Sequence, residues 1–317
     1  MEEALLISIC IPAYKRVSFL KRLLDSIHTQ TYRNFEVVLT DDSPDNDVFE
    51  LCKSHPLAGS IRYFKNERNL GTPENWNESI RRAGGSWIKL MHDDDWFAGP
   101  DALASFVGAI RKSPGHVFFY SGYINVFLEN KLYEQVRVSR FWQMVLNRNA
   151  KNLVYRNIIG PPSVTIYKRN ANINYDPSLK WLVDIDFYMR YLEHSKPVLI
   201  TGVLVEVGMS AEQVTRAVFR NPEVEIPENL YLLQKMGVRS LKNIFIFDAY
   251  WRFIRNLKIR TVSQVGDAGY SKPLPATIES MISFQSRIPG SILKMGLFSK
   301  FLMSVYYLTH YSKLSRG

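Results

Sequence analysis

The sequence predicts an α/β fold: a mostly parallel sheet with helices on both faces, followed by a helical, basic and amphipathic C-terminal region. Three observations carry this. Short runs rich in β-branched and apolar residues alternate with segments whose apolar residues recur at helical spacing, the pattern of βαβ units. Two of those runs end in carboxylate clusters, Asp41-Asp42 and Asp93-Asp94-Asp95. The charge is segregated: residues 231–317 hold 13 Lys+Arg against 3 Asp+Glu, so the first 230 residues are neutral and the net charge of +10 lies in the tail.

Residues 5–11 (LLISICI), ended by Pro12, read as a buried parallel strand. A helix follows, with Phe19, Leu20, Leu23, Leu24 and Ile27 on one face and Ser18 as its N-cap. Residues 35–40 (FEVVLT) form a second strand and 61–64 a third. A helix spans about 74–83, residues 87–91 (WIKLM) form a fourth strand, another helix begins near Pro100-Asp101, and 117–120 (VFFY) form a fifth strand. Residues 125–169 read as strands and loops flanking a substrate cleft. Leu182, Ile185, Met189 and Leu192 mark a further helix, residues 197–205 a strand, and Pro222 and Pro227 bracket a linker. Beyond it come helices over 244–259 and 291–314 in which basic and aromatic residues interleave. The expected division is a catalytic domain over 1–220 and a membrane-association or accessory region over 221–317.

At 317 residues and 46% hydrophobic, the chain is globular and large enough to bury a core. Two cysteines, Cys10 and Cys52, make neither a disulfide framework nor a metal cluster, which fits a reducing compartment. The start Met1-Glu2-Glu3 lacks the basic region of a signal peptide, and no apolar stretch approaches the roughly 18 residues of a membrane span. The expected location is cytoplasmic, peripheral on the inner face of the cell membrane.

In an open parallel sheet, ligands sit beyond the carboxyl ends of the strands. That rule puts Pro12-Ala13-Tyr14, Asp41-Asp42 and Asp93-Asp94-Asp95 along one edge. Three adjacent carboxylates repel one another and are costly near a core unless a cation neutralises them. Hard oxygen ligands suit Mg²⁺ or Mn²⁺; a solvated acidic loop capping the next helix is the alternative. In Asp41-Asp42, one carboxylate accepts from a nucleobase or ribose while the other holds the loop, or both form an ordinary turn. In NERNLGTPENWN, Asn69, Asn75 and Asn77 contact a nucleotide or tie the loops together, or the segment is a plain turn and helix start. Asp186 and Arg190 pair at i,i+4, which leaves Asp184 as a general base or a helix cap.

Taken in order, these segments resemble family 2 glycosyltransferases of the GT-A fold, the group that builds bacterial surface polysaccharides. The matching residues are Ser8 to Lys15, Gln30 to Glu36, Asp41-Asp42-Ser43, Asn69-Leu70-Gly71 with Asn75 and Asn77, Gly84 to Ile88, Asp93 to Trp96, and Pro100-Asp101. The resemblance implies that Asp42 reads the donor's base in a pocket lined by Pro12, Ala13 and Tyr14. It implies donor contacts from Asp41, the three asparagines, Asp93 and Asp94, and a divalent Mg²⁺ or Mn²⁺ on Asp95 and Asp94. Asp184 matches the base of the family's E-D motif. The sequence departs from the pattern at His92, where many members carry the first Asp of the metal motif, and at Val183, where many carry Glu. The implied reaction moves a sugar, with inversion, from a nucleotide-diphospho-sugar to a hydroxyl of a glycan acceptor, polyprenyl-diphosphate-linked. No nucleic acid is expected as partner.

In the tail, Arg252, Arg255 and Lys258 alternate with Phe245, Phe247, Tyr250, Trp251 and Phe253, and Lys294, Lys300 and Lys313 accompany a second apolar series. Such helices suit an anionic bilayer surface, or else form a helical subdomain with solvated lysines. Two other functions compete. An inactive sugar-nucleotide binder would lose nothing on Asp184→Asn, and a nucleic-acid binder would use the basic tail alone. An aspartyl phosphatase would need its Asp pair after the first strand, where Pro12-Ala13-Tyr14 stands, and a nucleotidyltransferase would need a Gly-rich loop there.

Overall fold

A computed structural model describes residues 5–209 and 219–312. The chain divides into two compact units: Met1–Asn147, Ile158–Pro177 and Asp186–Gln213 form the first, and Arg148–Asn157, Ser178–Ile185 and Val214–Gly317 form the second.

The first unit is built on one sheet. Its strands are β1 (Ile7–Ala13), β2 (Phe35–Asp41), β3 (Ile61–Lys65), β4 (Trp87–Leu90), β5 (Asp95–Phe97), β6 (Phe118–Phe127), β7 (Leu132–Val136), β8 (Thr165–Lys168) and β9 (Val198–Met209). The order is β3-β2-β1-β4-β8-β6-β9-β5, with β7 added on β6. From β3 to β4 the pairings are parallel, and all seven residues of β1 are buried, the signature of a strand covered on both faces. Beyond β4 the sheet is mixed: β8 is antiparallel to β4 and β6, and β9 is parallel to β6 but antiparallel to β5. The expected fifth strand, β6, runs on into the region expected as strands and loops, which also holds β7, β8 and a helix, α5 (Arg140–Arg148), that the sequence did not reveal.

Helices α1 (Val17–His28), α2 (Asp47–Ser54), α3 (Glu74–Arg81) and α4 (Ala102–Lys112) connect the strands, and α6 (Val183–Tyr191) follows β8. In α1, Leu20, Leu23, Leu24 and Ile27 are buried, as their spacing predicts. Ser18 is not the N-cap: the helix starts at Val17 with Arg16 as N-cap and no side-chain cap bond, because a guanidinium has no acceptor to offer the first N–H groups. Two polar side chains, Gln30 buried and Glu36 half-buried, explain motifs that lie far apart in sequence. The Gln30 amide donates to the Ser26 and Gly99 carbonyls and accepts from Leu103 N, tying α1 to the start of α4. Glu36 accepts from Ser8 Oγ and from the N–H groups of Gly84 and Gly85, fixing the turn into β4. A Cβ on Gly85 would lie 2.7 Å from the Leu6 carbonyl, so that turn requires glycine.

The second unit is helical among its described residues. The expected linker at 222–227 is instead the start of helix Pro222–Met236: Asn221 caps it by accepting from Glu223 N, and Pro222 sits in the first turn, where its missing N–H costs nothing. Helix Ile244–Asn256 buries Phe247, Tyr250, Trp251 and Phe253, so four of the five aromatic residues read from sequence as an amphipathic face are core, and Phe245 is half-buried. The helix expected over 291–314 is two, Gly290–Lys294 and Gly296–His310, divided at Met295; its last residues fall outside the described ones. No helix among the described residues is long and apolar enough to cross a membrane.

Candidate active site

Three strand ends of the first unit converge. β1 ends on buried Pro12 and Ala13, and in the loop after it Tyr14 is exposed, while Lys15 takes a left-handed φ of 64° with its N–H on Ser43 Oγ at 2.7 Å. That turn swings Arg16 back onto the carboxylates after β4: one guanidinium nitrogen pairs with Asp93 and the other with Asp94 at 2.8 Å. Tyr14 N also donates to Asp93, at 3.4 Å. Asp93 is therefore held by the β1 loop, and burial pushes its carboxyl up to about 7.

At the end of β2 the two aspartates are both engaged. Asp41, fully buried, accepts from Ser43 N, Tyr63 Oη and Lys65 Nζ at 2.7–2.9 Å. Asp42 accepts from Asn66 Nδ2, Leu70 N and Gly71 N at 2.7–3.1 Å, so it fastens the 66–71 loop. A carboxylate has about four acceptor positions, which leaves Asp42 roughly one for a ligand. The asparagines divide. Asn69 is exposed on that loop. The Asn75 amide donates to the Ala13 and Thr40 carbonyls, and Asn77 clasps the backbone of Tyr175, donating at 2.8 Å and accepting at 2.9 Å. Both hold the frame.

The β4 end supplies a ligand set. One atom each from His92, Asp94 and Asp95 lie within 4.8 Å of one another. Asp95 Oδ1 accepts from Gly208 N at 3.2 Å, while Asp95 Oδ2, 3.7 Å from His92 Nδ1, and His92 Nε2 are buried with no hydrogen-bond partner among the described residues. Orphaned buried polar atoms cost about 1–3 kcal/mol each, which a metal bond would remove. Burial lowers His92 to about 4, so its imidazole is neutral and has a lone pair to offer; the ring is packed against Trp76, centroids 4.6 Å apart. Burial and the neighbouring Asp94 raise Asp95 well above the carboxylate range. The residues present fit a divalent cation, with His92 as a third ligand beside Asp94 and Asp95.

Beneath the cluster lies a lysine that the sequence reading passed over. Lys89 is fully buried in β4, donates to the Ser163 carbonyl, and lies over the Phe97 and Phe106 rings. Ser163 Oγ accepts from His92 N at 3.0 Å, so one serine holds both ends of the strand-to-cluster turn. Lys in the middle of WIKLM was the available signal, because an uncompensated charge in a buried strand needs a reason. Gly208 is the other overlooked position: a Cβ there would collide with the Asp94 carbonyl. A glycine inside the run VEVGM marks such a close approach.

Asp184 belongs to the second unit. It is the second residue of α6, its Oδ2 accepting from Asn157 Nδ2 at 2.7 Å and its Oδ1 from Ile185 N at 2.8 Å. Burial outweighs these bonds and pushes its carboxyl up to about 6. The segment leading into the helix is fixed by buried Glu228, which accepts from the N–H groups of Lys180, Trp181 and Leu182 at 2.7–2.9 Å. Nothing local in the sequence announces Glu228, since the contact spans 46 to 48 residues.

The family description Glycosyl transferase family 2 matches residues 8–175. An uncharacterized glycosyltransferase of Haemophilus influenzae is 34% identical over 116 residues, 36% of this chain and 38% of that protein. The putative colanic acid biosynthesis glycosyl transferase WcaA of Escherichia coli K12 is 27% identical over 202 residues, 62% of this chain and 70% of that protein. The chain's match thus spans well under half of the first relative's length. Among solved structures, S. aureus TarS 1-349 in complex with UDP-GlcNAc has a TM-score of 0.57 at 16% identity, covering 88% of this chain and 91% of that one. The mannosyltransferase PcManGT from Pyrobaculum calidifontis, in complex with GDP-Man and Mn²⁺, has a TM-score of 0.57 at 15% identity, covering 98% and 87%. These likenesses show the fold, which is GT-A. The chain belongs to glycosyl transferase family 2, a family of enzymes that transfer glycosyl groups.

Proposed function

We propose that the chain is a metal-dependent, inverting glycosyltransferase. It would move a sugar from a nucleotide-diphospho-sugar to a hydroxyl of a polyprenyl-diphosphate-linked glycan during surface-polysaccharide assembly, at the inner face of the cell membrane. The observation that carries the metal reading is the pair of orphaned buried atoms, Asp95 Oδ2 and His92 Nε2, beside Asp94. The GDP-Man and Mn²⁺ of PcManGT, the UDP-GlcNAc of TarS and the colanic acid role named for WcaA support the donor class and the setting.

Asp95, Asp94 and His92 would hold the cation; an imidazole in the set favours Mn²⁺ over the all-oxygen preference of Mg²⁺. When bound, such a cation offsets the charge that grows on the leaving diphosphate. Arg16 keeps Asp93 and Asp94 oriented through its two ion pairs. Asp42 holds the 66–71 loop and spends its remaining acceptor capacity on the donor's base or ribose. Asp184 takes the proton of the attacking hydroxyl. With its carboxyl near 6 it is ionised at pH 7 yet more basic than an ordinary aspartate, the compromise a general base needs.

The test is calorimetric titration of the full chain with MnCl₂ and MgCl₂, followed by thermal shifts with a panel of nucleotide sugars. Mn²⁺ should bind more tightly than Mg²⁺, His92→Phe should weaken Mn²⁺ by about tenfold and narrow that preference, and a donor should raise the melting temperature only with metal present. Donor binding indifferent to chelation would refute the reading.

A further inference from the structure

We propose that helix Gly296–His310 is an in-plane anchor that docks the chain on an anionic bilayer surface. This deepens the location proposed above by naming the surface that makes contact, and it does not depend on the transfer chemistry.

The helix is two-faced. Ser299, Met303 and Tyr306 are buried: Ser299 Oγ accepts from Trp251 Nε1 at 3.1 Å, and the Tyr306 ring lies 4.7 Å from Phe284 and 5.7 Å from Trp251. The opposite side is apolar and uncovered. Leu297 is 91% exposed, Leu308 73% and Phe301 62%, with Phe298 and Val305 also exposed. At 3.6 residues per turn these five side chains fall within a stripe about 100° wide. Scattered exposed apolar residues are ordinary, but a contiguous stripe marks an interaction surface.

Charge selects the occupant. Beyond Glu279 the sequence contains no acidic residue and five basic ones, Arg287, Lys294, Lys300, Lys313 and Arg316. Arg287 and Lys294 are exposed, whereas Lys300 turns back toward Asp248, 3.8 Å away. A second copy would bring the same surplus of cations against itself, while anionic headgroups complement it. The helix is about 22 Å long, shorter than a hydrocarbon core of about 30 Å, so it lies in the interface and does not cross it. Helix Ile244–Asn256, also basic and aromatic, is excluded from this role because most of its apolar residues are already buried and only Ile244 among them is exposed.

The experiment is sedimentation of the full chain with vesicles of equal parts phosphatidylglycerol and phosphatidylcholine, against phosphatidylcholine alone, with the double variant L297E/F301E alongside. The chain should partition onto the anionic vesicles at least about tenfold better, lose that preference in high salt, and lose about tenfold in the double variant at an unchanged melting temperature. As a second measurement, the indole of Leu297→Trp should shift its emission to the blue on anionic vesicles. A wild-type chain that stays in the supernatant, a double variant that binds equally, an unmoved Trp emission, or a dimer in solution that L297E/F301E dissolves would each overturn the proposal. Failure here with intact transfer to a water-soluble acceptor would leave the enzymatic reading standing.

Discussion

Asp184→Asn separates what this carboxylate does for the reaction from what it costs the fold. Burial raises the carboxyl from an ordinary 3.8 to about 6. Two units at 1.36 kcal/mol each put the cost of holding the ionised group at about 3 kcal/mol at most. The sign follows from proton binding. Between pH 4 and 6 the unfolded chain has released this proton and the folded chain has kept it, so wild-type stability falls as pH rises through that window and the full cost is present above it. Asparagine escapes the cost, keeps an oxygen for Ile185 N, and turns an amide NH₂ toward Asn157, losing about 1 kcal/mol there. The variant should therefore match or trail the wild type at pH 4 and exceed it by about 1–2 kcal/mol at pH 7.5. Its turnover should drop by about 10²–10⁴, and the wild-type rate should show an acid limb near pH 6. Chemical denaturation of both proteins across pH 4–8, paired with transfer assays, decides the matter. A stability gap independent of pH would refute the burial argument, and near-normal turnover would refute the base assignment and favour the inactive-binder alternative.

Two further variants test the frame around the acidic cluster. Gly208→Ala places a methyl group against the Asp94 carbonyl, so it should push β9 away from β5 and cost several-fold or more in Mn²⁺ affinity, read by calorimetry; unchanged affinity would show that the cluster does not depend on that contact. Lys89→Met removes an ammonium that burial lowers to about 7, so the wild type should gain stability relative to the variant as pH rises from 7 to 10, where the unfolded lysine still holds its proton and the folded one does not. A gap that stays flat over that range would mean Lys89 remains charged in place.

The legible part of the fold is the part in which a residue's local neighbours decide its state. β1, β2 and β4 are largely buried and read as short runs rich in apolar residues, interrupted only at Ser8, Glu36, Thr40, Asp41 and Lys89, and α1 shows its core face at helical spacing. β5 is three residues long and exists only because β9 pairs with it, so no local pattern marks it. Proline misled at 222, where the same residue that ends one helix opens another and only the Asn221 cap distinguishes the cases. The asparagines show the limit for sites. Asn69, Asn75 and Asn77 are equivalent as letters, yet two spend their amides on backbone groups up to 98 residues away and one is exposed. Aromatic composition was equally indifferent in the tail, because Phe247 and Phe301 read alike while one is wholly buried and the other 62% exposed.

The acidic cluster is also where the charge of the chain is worked out locally. Asp93, Asp94 and Asp95 are buried, and among the described residues the cations directly bound to or beneath them are Arg16 and Lys89. With all five groups ionised, the state that a bound divalent ion imposes on the raised carboxyls of Asp93 and Asp95, three negative and two positive charges leave the set at −1, and the ion turns it to +1. A diphosphate arriving without that ion would meet net repulsion at short range in a low-dielectric setting, and arriving with it would meet attraction. That reversal predicts ordered binding, metal before donor, from the protein's own charges. Arg16 is the pivot of the count. Arg16→Met would remove one fixed cation, deepen the negative charge, tighten Mn²⁺ and weaken the donor at saturating Mn²⁺. The opposite movement of the two affinities is a result that simple unfolding of the β1 loop cannot imitate.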